Sequence, residues 1–254
     1  MILGIDTATS ATAVAVWSPD RGVERRDDPA PGARPAHASR LLALVEDVVD
    51  WAAVERIAVG VGPGGFTGLR IGIATARALA QARDLPLVGV SSLAALAAGA
   101  SAGGSDPLSA SASAGGSDPL SASASAGGSD PLSAVSRTEG GQTPLVVAVI
   151  DARRGEVFAA SPGAFEPVAL TPEALAERIA AGSLAVGDGA VRFREQLEQA
   201  GAIVPADGSP LHRVSALQIC RLGADGEPAG RDALLPDYRR EPDAKPRSTE
   251  SLPP

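Results

Sequence analysis

The chain presents one local pattern twice. ILGIDTATSATAVAVW, at residues 2–17, is an apolar run ending in Ile5-Asp6, a short hydroxyl-rich turn and a second apolar run. LVVAVIDARRGEVFAA, at residues 145–160, repeats it with Ile150-Asp151, a turn through Arg153, Arg154 and Gly155, and another apolar run. Each reads as strand, Asp, turn, strand, so the fold has to house two hairpins that open two halves. Apolar runs without strict alternation mark strands covered on both faces, which calls for helices packed on each sheet.

The sequence between supplies those helices. After the first hairpin come a third strand near GVERR, a helix at about His37 to Ala52, a strand at Arg56 to Gly62, a helix from Phe66 to Arg83 and a strand PLVGVS. The second half continues with a helix opened by Thr171-Pro172 and running to Ala181, a strand SLAVGDG, and a helix from Val191 to Ala200. The expected class is therefore α/β, with two domains, which suits 254 residues because single cores tend to split near this length. Only 3% of residues are aromatic, so packing rests on Ala, Val, Leu and Ile.

The halves are separated by SAGGSDPLSASA, repeated with copies starting at Ser101, Ser113 and Ser125. One Leu per copy, beside two Gly and one Pro, cannot offset the entropy of ordering the unit. The expected division is an N-terminal domain over 1–100, a flexible linker over 101–143, a C-terminal domain over 144–240 and a disordered, Pro-rich and charged tail over 241–254.

Composition excludes several functions. Twenty-two basic against thirty acidic side chains, a net charge of -8, argue against a nucleic-acid binder acting alone, which must neutralise phosphates. The single cysteine, Cys220, rules out an internal disulfide and reads as a small buried hydrophobe. MILGIDTATS lacks a basic leader region, and no window reaches membrane-span length, so a soluble cytoplasmic protein is expected.

Three features bear on chemistry. Asp6, followed by Thr7, Thr9 and Ser10, either presents a carboxylate, hydroxyls and amides to a metal or phosphate, or simply caps the hairpin turn, the commoner use of such residues. VGPGGFTGLRIG carries Gly64, Gly65 and Thr67 into a helix start that exposes amides to an anion. It is no P-loop, because Gly68 is followed by Leu69 and Arg70 rather than Lys and a hydroxyl residue. Along that helix Gly68, Gly72, Ala76 and Ala80 form a low ridge at four-residue spacing, suited to close approach by a partner helix or by the domain's own sheet. The preceding helix has a wide apolar face of Leu41, Leu42, Val45, Val48, Val49 and Ala52, broad enough for a core on one side and a partner on the other.

Hydrolytic arrangements are missing from the sequence. His37 and His212 lie in different halves with no HExxH spacing and read as surface or capping residues. GVSSL lacks the second glycine of a nucleophile elbow. Asp151 with Arg153 and Arg154 reads as a solvated turn with local ion pairing.

Taken in order, ILGIDTATSATAVAV, HASRLLALVEDVV, IAVGVGPGGFTGLRIGIATARALA, PLVGVSSLAALA, VVAVIDARRGEVFAA, GDGA and LLPDYRR resemble the TsaB (YeaZ) family, over nearly everything except residues 101–143 and the tail. The resemblance implies two ribonuclease H-like domains of the actin-like ATPase (ASKHA) superfamily. It implies a part in making threonylcarbamoyladenosine beside the tRNA anticodon, where a separate enzyme makes threonylcarbamoyl-AMP and the metal-containing paralogue TsaD transfers the group to tRNA. It implies a non-catalytic subunit, without cofactor or metal, that works with TsaD and the ATPase TsaE, meets tRNA only through the complex and pairs with itself in isolation. In the family the two N-terminal helices meet their counterparts in TsaD or a second copy. That assigns a partner interface to Leu41, Leu42, Val45, Val49, Gly68, Gly72, Ala76 and Ala80. Asp6, Thr7, Gly64, Gly65 and Thr67 are left as an anion or nucleotide site, the one an ATP-dependent small-molecule kinase of the same superfamily would use.

Overall fold

In the computed structural model, which describes residues 1–30, 32–102, 144–230 and 233–239, the two hairpins open two separate sheets. The first contains β1 (Ile2–Asp6), β2 (Thr12–Ser18), β3 (Arg21–Asp27), β4 (Arg56–Gly62) and β5 (Leu87–Ser91), in the order β3-β2-β1-β4-β5. β1 runs antiparallel to β2, with Ile5 opposite Val14, and parallel to β4, with Leu3 opposite Ile57. The second contains β6 (Val146–Arg153), β7 (Glu156–Ser161), β8 (Phe165–Leu170) and β9 (Leu184–Val186), in the order β8-β7-β6-β9. Its β6, β7, β8 and β9 repeat the relations of β1, β2, β3 and β4, including the parallel β6–β9 pair.

Helices α1 (His37–Val48) and α2 (Phe66–Arg83) cover one face of the first sheet, where Leu3, Ile5, Val14 and Val59 meet Leu41, Val45, Ile73 and Ala76. Helix α3 (Ser92–Ser101) lies between the two sheets. Helices α4 (Pro172–Ala176), α5 (Asp188–Arg192) and α6 (Arg194–Gln199) belong to the second half, and α7 (Ala216–Ala224) returns to the first. One continuous core joins the halves: Val88, Val90, Leu93 and Leu96 pack with Ala148, Ile150, Phe158 and Val186.

The return of α7 changes the division expected from sequence. Although it falls within 144–240, it packs on β1, β2, β4 and β5, where Ala216, Leu217 and Cys220 meet Ala13 and Ala15. Gly4 permits this approach: a Cβ there would stand 2.5 Å from Cys220 Sγ and from the Ala216 carbonyl oxygen. A clamp on β3 holds the crossing chain. Arg26 Nη1 donates to the Val214 carbonyl at 2.7 Å, and Glu24 accepts from Ser215 Oγ at 2.6 Å and from the Leu217 amide at 3.3 Å. The linker and tail expected over 101–143 and 241–254 lie, apart from Ser101 and Ala102, outside the described residues.

Several element ends differ from the pattern. α1 stops at Val48 because Val49 turns extended, and Asp50 Oδ1 then accepts from the Ala52 amide in a tight turn. The helix expected to reach Ala181 ends at Ala176, while Thr171 caps it as anticipated by accepting from the Ala174 amide. The helix expected over 191–200 begins at Asp188 and breaks at Phe193. Strand β8 and helices α3 and α7 are additional to the elements expected: in SLAALAAGAS, which is buried between two sheets, there is no polar stripe to read, while α7 is amphipathic but only nine residues long.

Candidate functional site

The glycine-rich loop and the turn after β1 are built against each other. The Gly65 amide donates to the Ala8 carbonyl at 2.7 Å, and a Cβ at Gly64 would collide with the same oxygen. Thr7, fully buried, donates its hydroxyl to the Gly68 carbonyl at 2.8 Å. A Cβ on Gly68 would strike the Thr7 carbonyl oxygen, and a larger side chain at Gly72 would strike Thr7 Oγ1. The glycines therefore let α2 lie directly on the β1–β2 turn.

This geometry corrects the expected role of the small-residue ridge. Gly68, Gly72, Ala76 and Ala80 are buried against the protein's own turn and sheet, and Leu41 and Val45 are buried beneath α1. These six do not reach the surface. Leu42, 52% exposed, does, and Val49 is partly buried. The outward row of α2 is instead Phe66, Arg70, Ala74 and Ala78, again at four-residue spacing and about 200° around the helix from the glycine row.

Asp6 is likewise spent internally. Its Oδ1 accepts from the Ala8 amide at 3.0 Å, capping the turn, and its Oδ2 accepts from Ser92 Oγ at 2.7 Å, which ties β1 to the start of α3. Burial raises the carboxyl above its ordinary value, against the lowering effect of these two hydrogen bonds. Asp6 and Thr7 thus face inward, and neither is presented as a metal or phosphate ligand.

What remains open is a cleft of about 730 Å³ between the halves. Thr9, Ser10, Arg34, His37, Gly65 and Thr67 line one wall, and Asp151, Arg153 and Asp188 the other. Of the proposed anion residues, Gly65 and Thr67 reach it. Both histidines are buried, correcting the surface reading. His37 Nδ1 lies 2.9 Å from Thr12 Oγ1, and His212 Nδ1 accepts from the Gly187 amide at 3.1 Å. Burial lowers both imidazoles below their ordinary values.

The second wall is ion-paired as the sequence suggested, with one partner it did not. Asp151 Oδ2 pairs with Arg153 at 3.4 Å and with Arg192 at 2.7 Å, and Arg153 and Arg154 take positive φ in the turn. Asp188, partly buried, accepts from the Asp151 amide at 3.0 Å, and burial pushes its carboxyl up to about 6. Its position in GDGA was the available signal. Also unforeseen is a cluster outside the cleft: Arg70 lies 3.8 Å over the Phe66 ring and donates from Nε to the Tyr238 hydroxyl at 3.0 Å, while the two rings stand 5.3 Å apart. Among the described residues no group of His, Cys, Asp and Glu is placed to hold a metal, and no helix is long and apolar enough to cross a membrane.

Two sheets of repeated topology facing one cleft define a two-domain protein of ribonuclease H-like halves, in the actin-like ATPase (ASKHA) superfamily. Residues 31–126 match the family described as TsaD: tRNA N6-adenosine threonylcarbamoyltransferase. The chain is 41% identical over 104 residues to the Escherichia coli protein named tRNA threonylcarbamoyladenosine biosynthesis protein TsaB, covering 39% of this chain and 43% of that one. It is 34% identical over 101 residues to the protein of the same name from Haemophilus influenzae, covering 38% and 41%. The chain thus aligns with less than half the length of these curated relatives. The solved structure of YeaZ from Pseudomonas aeruginosa superimposes over 93% of this chain and 98% of its own, with a TM-score of 0.60 and 27% identity. These likenesses all point to the TsaB (YeaZ) family.

Proposed function

We propose that this protein serves threonylcarbamoyladenosine biosynthesis as a non-catalytic subunit, binding a TsaD-like transferase and supporting it as it modifies the adenosine next to the tRNA anticodon. The observation that carries this reading is the likeness to relatives named for that pathway, together with the match of residues 31–126, which contain α1 and α2, to the family described as TsaD: tRNA N6-adenosine threonylcarbamoyltransferase. The internal use of Asp6 supports it, since both carboxylate oxygens are bound within the fold and the kinase alternative loses its metal ligand. In this reading a TsaE-like ATPase joins the assembly, tRNA is met through the complex, and the free chain pairs with a second copy through the same helices.

The docking face is the outward side of α1 and α2, around Leu42 and the small residues Ala74 and Ala78, which let another helix approach closely. Reconstituted modification of tRNA with the cognate TsaD-like and TsaE-like subunits and the synthase of threonylcarbamoyl-AMP, with and without this protein, tests the role. Activity that is unchanged on omission refutes it. Leu42→Asp puts a charge on the docking face at an exposed position, so the isolated variant keeps its thermal transition while complex formation falls by about a hundredfold or more.

A further inference from the structure

At the N-terminal end of the outward α2 row stands a cation that two aromatic residues hold in place. Arg70 is exposed, its guanidinium lies over the Phe66 ring at 3.8 Å, and its Nε is engaged by the Tyr238 hydroxyl at 3.0 Å. Phe66 is 54% exposed and Tyr238 47% exposed, so this is a surface cluster. Tyr238 is brought there by the segment after α7: the Asp237 amide donates to the Val61 carbonyl at 2.8 Å, and Leu234 is buried against Gly89.

The chemistry of this cluster is unbalanced in one respect. Among the described residues no carboxylate pairs with Arg70, whereas Arg40 on α1 and Arg239, next to Tyr238 in sequence, are matched by Asp27 and Asp237. A guanidinium stacked on one ring and oriented through Nε by another presents its two terminal nitrogens as a fixed fork, the geometry that takes an oxyanion with two parallel hydrogen bonds. Orienting it in advance also removes much of the side-chain entropy that a surface ion pair normally costs.

We infer that Arg70, held by Phe66 and Tyr238, is the charged anchor of the docking face and receives a carboxylate from an acidic side chain of the protein partner. The inference rests on the proposed binding of a TsaD-like subunit through α1 and α2 and specifies what that partner must offer at the edge of the contact. A protein carboxylate fits better than an RNA phosphate. The net charge is -8, and the row beyond Arg70 continues as Ala74 and Ala78 rather than as further cations to follow a phosphate backbone.

The test measures affinity for the cognate TsaD-like subunit from low to high salt for the full chain and three variants, each first checked for an unchanged thermal transition. Arg70→Gln is expected to weaken binding about tenfold or more at low salt and to flatten the salt dependence. Tyr238→Phe, which keeps the ring and removes the hydroxyl, is expected to give a smaller loss in the same direction. Wild-type affinity and salt dependence in Arg70→Gln, beside lost binding in Leu42→Asp, overturn this inference alone. So does a loss in Arg70→Gln that leaves the salt dependence intact, since the side chain then acts by packing. Retained binding in Leu42→Asp overturns the docking face itself. Binding of tRNA by the isolated chain that disappears in Arg70→Gln makes the oxyanion a phosphate and overturns the carboxylate assignment.

Discussion

Substituting Gly72 by alanine decides which way the small-residue ridge of α2 faces. If the ridge were open to solvent, Gly72→Ala would remove a flexible residue from a helix interior and stabilise the protein by about 1 kcal/mol. In the structure the new methyl group collides with Thr7 Oγ1, and Thr7 is fully buried with its hydroxyl committed to the Gly68 carbonyl. Forcing a methyl into such a site costs about 1–3 kcal/mol, so the net expectation runs from no gain to a loss of about 2 kcal/mol. Thr7→Ala removes the obstructing oxygen at a cost of about 1 kcal/mol for its hydrogen bond, and in that background the helical gain from Gly72→Ala should reappear. The two substitutions therefore couple by about 1–3 kcal/mol, read from urea unfolding of the wild type, both single variants and the double. A stabilised Gly72→Ala protein with additive behaviour alongside Thr7→Ala would refute the packing of α2 on the turn.

Two further tests concern buried titratable groups. The Asp188 carboxyl sits at about 6 in the folded protein against 3.8 ordinarily, so below pH about 4 it is neutral in both states and costs nothing. As pH rises through 6 the folded state must ionise a carboxyl in a partly buried site, and stability falls by at most about 3 kcal/mol, less because the side chain borders the open cleft. Asp188→Asn keeps an acceptor for the Asp151 amide, so its stability advantage should grow between pH 4 and 8; a constant difference in unfolding free energy across that range contradicts the assignment. Cys220 is fully buried, and burial pushes its thiol far above the ordinary range. A thiol reagent at pH 8 should leave the native protein unlabelled and modify one thiol on unfolding, whereas rapid native labelling would show that α7 leaves the sheet readily.

Much of the architecture is legible because it depends on neighbours in sequence. The strand-Asp-turn-strand openings, β4 and α2 fall where hydrophobic runs and turn residues put them, since hairpins and helix ends are settled within a few residues. Asp6 capping its own turn belongs to this local class. The second bond of Asp6, to Ser92, joins residues far apart in sequence and left no local mark.

The direction in which a helix face points is a different kind of fact. α2 carries two rows at four-residue spacing, Gly68, Gly72, Ala76 and Ala80 on one side and Phe66, Arg70, Ala74 and Ala78 on the other, and the sequence marks the first as suited to close contact without naming the contact. Only the fold puts Thr7 against the glycines and so leaves Arg70 outside, where Tyr238 arrives from the far end of the chain. The same holds for α7, whose short apolar pattern gains its place because Gly4 lets it lie on a sheet formed some two hundred residues earlier. The class of fold, the repeated halves and the resemblance to the TsaB (YeaZ) family are all readable in the residues alone. The outward row of α2, the internal use of Asp6 and the cover that α7 lays on the first sheet come from the tertiary fold, because each depends on contacts whose partners local periodicity does not specify.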